Sequence, residues 1–350
     1  MGVTELGKLI GKEARREIKL ENLAGRCVAL DAYNALYQFL ASIRQPDGTP
    51  LMDRAGRVTS HLSGLFYRTI NLLEAGIKPV YVFDGKPPEF KLAEIEERRR
   101  VKEKAMEEVV KAIKEGRREE VAKYMKRAVF LTSEMVEDAK RLLTYMGVPW
   151  VQAPSEGEAQ AAHMAKRGHC WAVGSQDYDS LLFGSPRLVR NLAVSPKRRV
   201  GEEVVEVSPE LLELDAVLKM LRLKNREQLI DLAILLGTDY NPEGVPGVGP
   251  QKALKLVWEF GSLEKMMETV LKGVSFPVNP IEIKRFFLNP PATDNYSVEF
   301  KKPDEHALVD FLVGEHDFSE ERVQKALERL QKAQGKLKTS SLDLFFGDFR

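Results

Sequence analysis

RCVALD, at residues 26–31, is a short apolar run that ends on an acid, and PVYVFD, at residues 79–84, repeats the pattern. Between these runs, residues 32–43 and 60–76 carry apolar side chains at helical spacing. A strand, a helical connection and a second strand in this order favour a right-handed crossover and a parallel sheet. We therefore predict an α/β fold with a central twisted, mostly parallel sheet flanked by helices.

Acidic residues also end three later segments, VPWVQAPSEGE (residues 148–158), CWAVGSQDYD (residues 170–179) and LAILLGTD (residues 232–239). Because the carboxyl ends of parallel strands meet in one crevice, acids from distant segments can lie together there. The acids in this position are Asp31, Asp84, Glu156, Glu158, Asp177, Asp179 and Asp239. Such a group needs a counter-charge, and oxygen ligands favour magnesium or manganese. The pattern indicates a metal-dependent phosphoester enzyme, with enough carboxylates for two ions.

Each of these acids also has an ordinary structural interpretation. Asp31 can cap the helix that follows it, and Asp84 with Gly85 can form a turn. Ser155 and Glu158 fit a capping box. The remaining acids can be caps, first-turn residues or turn residues, as at Asp177, Asp179 and Asp239. The pocket interpretation is favoured because the ordinary interpretation would require all these caps and turns to lie by chance at the carboxyl ends of strands.

Composition excludes several other classes of protein. The 350 residues include 53 basic and 52 acidic ones, so net charge alone does not indicate nucleic-acid binding. Cys27 and Cys170 lie in apolar runs without a disulfide framework or zinc spacing, which predicts an intracellular, cytoplasmic protein. There is no run of 18 apolar residues, no secretory signal, no P-loop and no nucleophile elbow. The five histidines lie outside the acidic motifs, and His61 is interpreted as a packing or surface residue.

The rest of the chain is less regular. Residues 86–127 carry 14 basic and 10 acidic side chains on a polar helical pattern with a thin apolar stripe, which predicts a protrusion. Strand-like runs resume at residues 148–153, 171–175 and 187–192, and from about residue 208 the chain is mainly helical. Residues 335–350 are predicted to be a flexible tail with late apolar residues.

Five motifs together resemble the flap endonuclease family, which contains structure-specific 5′ nucleases of DNA replication and repair. They are LDAYNALYQFL, SHLSGLFYRTINLLEAGIKPVYVFDGKPPEFK, APSEGEAQAA, GSQDYDSLLFG and LLGTDYNPEGVPGVGPQKAL. The resemblance implies one nuclease domain over residues 1–334, active as a monomer on 5′-flap and other branched DNA. It also implies two Mg²⁺ ions, for which Mn²⁺ can substitute. Asp31, Asp84 and Glu158 would lie near one ion and Asp177 and Asp179 near the other, while Glu156 and Asp239 act partly through water.

The resemblance also implies roles for residues around the acids. Residues 86–130 would form a helical arch through which single-stranded flaps thread. Lys91 and Arg98 would hold the scissile phosphate, although a solvated helix face is the ordinary interpretation of such residues. Tyr37 would stack on a base near the junction, or alternatively pack inside its own helix bundle.

Two further DNA and partner sites follow from the resemblance. Residues 237–258 would form a hairpin that grips duplex DNA through Gly247, Gly249 and Lys252, with a bound K⁺ ion and with Arg44 as a further DNA contact. Gln251 stands where the family commonly has a lysine. The tail residues Leu342, Phe345 and Phe346 would bind a sliding clamp, although Thr339 replaces the initial glutamine of that motif. The alternative is a tail folded onto its own domain.

Two other functions stay open on sequence alone. A magnesium-dependent phosphatase for small molecules would use acids at strand ends in the same way, but has no use for an arch or a glycine hairpin. A non-catalytic DNA-binding scaffold that recruits the clamp would not need the complete acid set. The short end of the chain beyond Phe346 is typical of an archaeal-type member of the family.

Overall fold

The computed structural model describes residues 3, 5–115, 130–193, 197–200 and 203–347, apart from the side chains of residues 93, 98, 106, 109, 110, 112–114, 197–200, 203–206 and 337–347. Its strands are Arg16–Glu17 (β1), Cys27–Asp31 (β2), Lys78–Phe83 (β3), Trp150–Gln152 (β4), Ala172–Gly174 (β5), Arg187–Arg190 (β6), Lys197–Val200 (β7), Glu203–Glu206 (β8) and Glu210–Glu213 (β9).

Seven of these strands form one sheet in the order β1-β9-β6-β5-β2-β3-β4. The pairs β6–β5, β5–β2, β2–β3 and β3–β4 are parallel, whereas β9 pairs antiparallel with both β6 and β1. The predicted α/β fold with a mostly parallel sheet is therefore confirmed. After β2 the chain adds β3 and β4 on one side and returns to add β5 on the other, so β2 and β5 border the switch point where ligands bind in such sheets.

The helices of the structure cover both faces of the sheet. They are Leu6–Leu9 (α1), Ala32–Ser42 (α2), Ser60–Glu74 (α3), Leu92–Lys114 (α4), Ser133–Tyr145 (α5), Gly157–Lys166 (α6), Asp179–Leu182 (α7), Leu214–Met220 (α8), Arg226–Leu236 (α9), Pro250–Phe260 (α10), Leu263–Glu268 (α11), Pro280–Leu288 (α12), Glu305–Val309 (α13) and Glu320–Gly347 (α14). Short 3-10 turns lie at Lys12–Ala14, Leu20–Leu23 and Glu89–Lys91, and a π-helix lies at Asp310–Glu315.

Strand β3 shows how the sheet divides the core into two layers. Val80 and Val82 belong to the layer formed with helices α6 to α12, whereas Tyr81 and Phe83 belong to the layer formed with α2, α3, α5, α13 and α14. Alternate residues of a strand point to opposite faces, so an apolar run buried on both faces is what a central parallel strand requires. The apolar runs at β2 and β3 therefore suit the interior position that these strands have in the sheet.

Strand β5 can lie beside β2 because it ends in glycine. Gly174 pairs with Leu30, and a Cβ atom at residue 174 would lie 2.4 Å from Cδ2 of Leu30. Any larger residue would require the Leu30 side chain and its neighbours to repack. Since β2 and β5 lead directly to acidic residues, this close approach brings those acids to one edge of the sheet.

Parts of the chain differ from the sequence prediction. The β7–β8 hairpin and the edge strands β1 and β9 were not predicted, because their charged residues hide the apolar alternation. Helix α4 is exposed as predicted, with Val101 56% exposed, and residues 116–129 of the predicted arch lie outside the described residues. The backbone of residues 335–347 continues α14 as a helix, and the flexibility of this tail stays a prediction. Across the described residues, no helix combines the length and the apolar character that crossing a membrane requires.

Candidate active site

A cavity of about 540 Å³ opens at the carboxyl edge of the parallel strands. All seven acids named from the sequence line it: Asp31, Asp84, Glu156, Glu158, Asp177, Asp179 and Asp239. They come from the ends of β2 and β3, the start of α6, the segment after β5 and the segment after α9. The structure therefore brings these distant acids together, and their role as metal ligands stays a prediction.

Asp31, at the end of β2, has a structural role and a place in the pocket at the same time. Its Oδ1 accepts a hydrogen bond of 3.0 Å from the backbone N–H of Asn34 and so caps α2, as the ordinary interpretation expected. The Asn34 side chain in turn donates to Oδ2 of Asp177, at 3.1 Å. Asn34 thus joins the acid that ends β2 to an acid that follows β5. Sequence analysis missed it, although its position three residues after a capping acid was a usable signal.

Asp84 and Glu156 are held together by the tight entry into α6. The backbone N–H of Gly157 donates to Oδ1 of Asp84 at 2.6 Å, and a Cβ atom at residue 157 would lie 2.7 Å from that oxygen. The N-cap of α6 is Glu156 and not Ser155. In the described structure no side chain caps this helix end, so the capping box that Ser155 and Glu158 could form is not present. Glu156 therefore keeps its carboxylate free of a capping role and directs it into the pocket.

Asp179 is buried in the pocket, and Glu158 has one buried carboxylate oxygen. Asp179 accepts a hydrogen bond of 3.0 Å from the backbone N–H of Val3, so the start of the chain closes one wall. Among the described residues, Oε1 of Glu158 is buried and has no hydrogen-bond partner. A buried carboxylate oxygen without a partner is costly, and a bound cation would satisfy it.

The acids of the pocket oppose one another's ionisation. The pKa is raised to about 6 for Asp84 and Asp177 and to about 8 for Asp179. The pKa values of Asp31 and Glu158 are also raised, well above the usual values of these side chains. In each case burial is the largest cause, and neighbouring carboxylates of the pocket add to it. Positive charge delivered to the pocket would reverse this effect.

Lys91 supplies one positive charge to the pocket. Its Nζ lies 2.7 Å from Oε2 of Glu156 and 3.5 Å from Oδ2 of Asp239. Burial by itself would lower the Lys91 pKa, but the two carboxylates outweigh it and raise the pKa. Lys91 is therefore an internal ammonium group of the site and not part of a solvated helix face. Arg98 lies in α4, and its side chain lies outside the described residues.

Tyr37 and Lys102 form a second pair on the pocket wall. Tyr37 projects from α2 and is half-buried, so it lines the cavity and is not enclosed in the core. Nζ of Lys102 lies 4.7 Å from the centre of the Tyr37 ring and 3.3 Å from its hydroxyl oxygen. Sequence analysis missed Lys102, which lies three turns of helix beyond Lys91 and lines the same pocket.

The donor set of the pocket fits hard divalent cations. It offers carboxylate oxygens from five segments, together with the unsatisfied Oε1 of Glu158, and no histidine or cysteine is among the described lining residues. Such oxygen ligands suit magnesium and manganese. Within the described ranges, no three Asp, Glu, His or Cys side chains are already arranged as a closed metal-binding group.

The predicted DNA-binding residues lie away from the described lining of this pocket. Gly247 has a positive φ of 72°, Gly249 is the N-cap of α10, and no atom lies within 4 Å of a Cβ built at either position. Nζ of Lys252 donates to the carbonyl of Gly247 at 3.2 Å. The Arg44 guanidinium donates to the carbonyls of Ala41 and Gly48, each at 3.0 Å. Their contacts with DNA stay a prediction.

The predicted clamp-binding residues Leu342, Phe345 and Phe346 lie on the last part of α14. Their side chains lie outside the described residues. The clamp contact therefore also stays a prediction.

Comparison with known proteins identifies two matching sequence families and several close relatives. Residues 1–105 match the XPG N-terminal domain and residues 147–239 match the XPG I-region. The chain is 86% identical over 346 residues to flap endonuclease 1 of Pyrobaculum islandicum, covering 99% of this chain and 100% of that protein.

Solved structures agree with this result. Flap endonuclease-1 from Methanococcus jannaschii matches with a TM-score of 0.75 and 48% identity, over 96% of this chain and 99% of that one. The catalytic core of Rad2 in complex with a DNA substrate matches with a TM-score of 0.69 and 25% identity, over 94% of this chain and 100% of that one.

Proposed function

This chain belongs to the flap endonuclease family, and from this membership we propose that it hydrolyses a phosphodiester bond of 5′-flap DNA near the junction of single and double strand. We propose in addition that the reaction depends on magnesium and that the enzyme also has 5′–3′ exonuclease activity. The observation that carries the proposal is the convergence of seven acids and Lys91 on one cavity.

The seven carboxylates would hold two Mg²⁺ ions, with Mn²⁺ as a substitute, and Glu158 would use its unpartnered Oε1. When bound, the ions would supply an activated water and positive charge at the scissile phosphate. The chain's own contribution is to fix the ligands: Asn34 orients Asp31 and Asp177, and the Gly157 N–H orients Asp84. Ligands held by such hydrogen bonds keep their geometry during the reaction.

The cationic wall would position the DNA backbone. Lys91 already balances Glu156, and its Nζ is within reach of the same cavity that the scissile phosphate would enter. An ammonium group held there stabilises the charge that develops on phosphate oxygens. Arg98, on the exposed helix α4 that follows Lys91, is proposed to assist. Tyr37 presents its ring to the pocket, and we assign it to stacking on the base next to the cleaved bond.

Duplex DNA would be held outside the cavity. Gly247 and Gly249 leave open space beside their backbone, where a phosphate can approach the N-terminus of α10, with Lys252 one turn into that helix. A K⁺ ion at this hairpin and a contact from Arg44 are part of the proposal. Because phosphate contacts carry no base information, the enzyme would recognise branched structure and not sequence.

The protein is proposed to act inside the cell as a monomer and to bind a sliding clamp through Leu342, Phe345 and Phe346. Support for the clamp contact comes from the sequence of the tail alone, in which apolar and aromatic residues recur at the end of a polar segment. Thr339 removes one side chain of the expected motif, so we propose a clamp affinity below that of a tail with glutamine there.

A substrate comparison tests the proposed function. The same preparation is titrated with Mg²⁺ on four substrates: 5′-flap DNA, nicked duplex, single-stranded DNA and a small phosphate monoester. We expect metal-dependent release of the flap strand, with the flap substrate cleaved fastest. Good turnover of the monoester without flap cleavage would favour a phosphatase. Flap binding without cleavage at any Mg²⁺ concentration would favour a DNA-binding scaffold.

A further inference from the structure

The two cysteines of the chain meet at the edge of the sheet opposite the acid pocket. Cys27 is the first residue of β2, and Cys170 lies two residues before β5. Their Sγ atoms are 2.7 Å apart, and the backbone N–H of Trp171 donates to the carbonyl of Cys27 at 2.7 Å. The sequence alone did not indicate this proximity, because residues separated by 143 positions become neighbours only when β5 pairs with β2.

We propose that Cys27 and Cys170 form an intrachain disulfide that joins β2 to β5. The Sγ–Sγ separation of 2.7 Å is shorter than an ordinary contact between two sulfur atoms and lies between such a contact and a covalent bond of about 2.05 Å. Val28 pairs with Ala172 in the parallel register of β2 and β5, and each cysteine lies within two residues of that pair. The bond forms when the Sγ–Sγ separation shortens from 2.7 Å to about 2.05 Å.

The surroundings of the pair suit a permanent cross-link better than a reactive thiol. Cys170 is buried, and its hydrogen bond to Cys27 together with burial raises the pKa of its thiol. A high thiol pKa leaves little thiolate to react with external reagents, so reaction of Cys170 depends on the proximity of Sγ of Cys27 at 2.7 Å. Trp171 beside the pair is covered by the guanidinium groups of Arg26 and Arg187, at 5.4 and 4.9 Å from its ring. Once formed, the bond would be protected from exchange on this side.

Cys27 provides the entry point for oxidation because it is partly exposed. Its thiolate would attack one sulfur of a low-molecular-weight disulfide, forming a mixed disulfide and releasing one small thiol. The Cys170 thiolate would then attack Sγ of Cys27 and release the second small thiol. Two protein thiols are oxidised, one small disulfide is reduced to two thiols, and the two protons move to those products. The chain has two cysteines in all, so no other intrachain pairing can compete.

The position of the cross-link gives it a mechanical consequence. Strand β2 ends at Asp31, and β5 leads to Asp177, so the disulfide would tie the two acid-bearing strands at their opposite ends. It would also close a loop of more than one hundred residues, and the loss of unfolded-state freedom grows with loop length. The expected result is a fold that resists unfolding, with the acid pocket itself unchanged.

Mass spectrometry of the unmodified chain tests the proposal directly. The purified protein is incubated with a low-molecular-weight disulfide, denatured and treated with an alkylating reagent. We expect an intact mass two hydrogen atoms lighter than the reduced chain, no alkylated cysteine, and a linked peptide pair that contains Cys27 and Cys170. Alkylation of both cysteines after this oxidation, or a disulfide between two copies of the chain, would overturn the proposal.

Thermal unfolding provides the second measurement. Reduction of the oxidised chain should lower the Tm by roughly 5–10 °C. A Cys27→Ser/Cys170→Ser variant serves as the matched control, because a reductant should leave its Tm unchanged. Flap cleavage at moderate temperature should be the same for oxidised chain and variant. If the Tm of the oxidised, linked chain does not change on reduction, the disulfide does not stabilise the fold. If the reductant lowers the Tm of the chain and of the double-serine variant equally, the effect does not come from Cys27 and Cys170.

Discussion

Nζ of Lys91 lies 2.7 Å from Oε2 of Glu156, inside the cavity that the acids line. An ammonium group in this position lowers the cost of crowding carboxylates, and it is also placed to meet a phosphate that enters the same cavity. The two roles are separable by mutation, because charge balance affects folding whereas phosphate contact affects the reaction.

Replacement of Lys91 by alanine should reduce the single-turnover rate of flap cleavage by about 100- to 1,000-fold, the usual effect of removing one preorganised electrostatic contact. Flap affinity should change little, because many other phosphate contacts remain. Lys91→Arg should recover part of the rate. Lys325→Ala, at an exposed position of α14, is the control and should cleave at the parental rate. An unaltered rate in Lys91→Ala would exclude the proposed phosphate contact.

Asp177→Asn removes one carboxylate while keeping the size of the side chain and a partner for Asn34. The variant should bind flap DNA with nearly parental affinity and lose cleavage by at least about 1,000-fold, because metal ligation needs the charged oxygen. Gel-shift and cleavage assays on one flap substrate measure both properties. Asp215→Asn, the same change at an exposed position of α8, should leave both unaltered. Parental cleavage by Asp177→Asn would contradict the metal role.

The acids at strand ends were predictable because a local pattern carries the information. An apolar run that ends on an acid, as at Asp31 and Asp84, requires no knowledge of distant residues. The partners that orient these acids were not predictable, because Asn34 meets Asp177 only after β5 pairs with β2. The same reason explains the missed contact between Lys102 and Tyr37, which depends on where the exposed helix α4 lies.

Magnesium should stabilise the folded chain as well as support cleavage. A ligand that binds the folded state alone adds about 2.7 kcal/mol to the free energy of unfolding at one hundred times its Kd. The Tm should therefore rise with Mg²⁺ and fall back when a chelator is added, and cleavage should stop with it. The Asp31→Asn/Asp179→Asn variant is the control and should lose most of the Mg²⁺-dependent Tm shift. An equal shift in this variant would place the ions elsewhere.

His61 predicts a pH dependence of stability that has nothing to do with the acid pocket. It is 1% exposed in α3, and among the described residues both of its ring nitrogens lack hydrogen-bond partners. Burial first, and His316 second, lower its pKa to about 3. The folded state thus binds this proton more weakly than the unfolded state, in which the pKa is about 6.5. Its contribution to stability is complete above pH 6.5 and is lost as the pH falls towards 3.

As the pH falls from 7 to 5, His61 should lower the free energy of unfolding by about 2 kcal/mol. The pocket acids, whose pKa values are raised, act in the opposite direction, so a difference between variants is the informative quantity. Urea unfolding of the parental chain and of His61→Gln, at pH 7, 6 and 5, isolates the effect. The difference in free energy of unfolding between the parental chain and His61→Gln should change by about 2 kcal/mol across this pH range. His306→Gln, at an exposed position of α13, is the control, and a pH-independent gap for His61→Gln would refute the prediction.

Salt should weaken DNA binding strongly, since each phosphate that a cation contacts releases counterions on binding. Lys252, one turn into α10 and exposed next to Gly247, is a proposed phosphate contact. Its replacement by alanine should reduce the slope of log affinity against log salt concentration by about 1, equally for different flap sequences. Lys332→Ala, at an exposed position of α14, should leave the slope unaltered. A parental slope in Lys252→Ala would exclude Lys252 from the DNA interface, because a cation that contacts a phosphate cannot be lost without changing the number of counterions released.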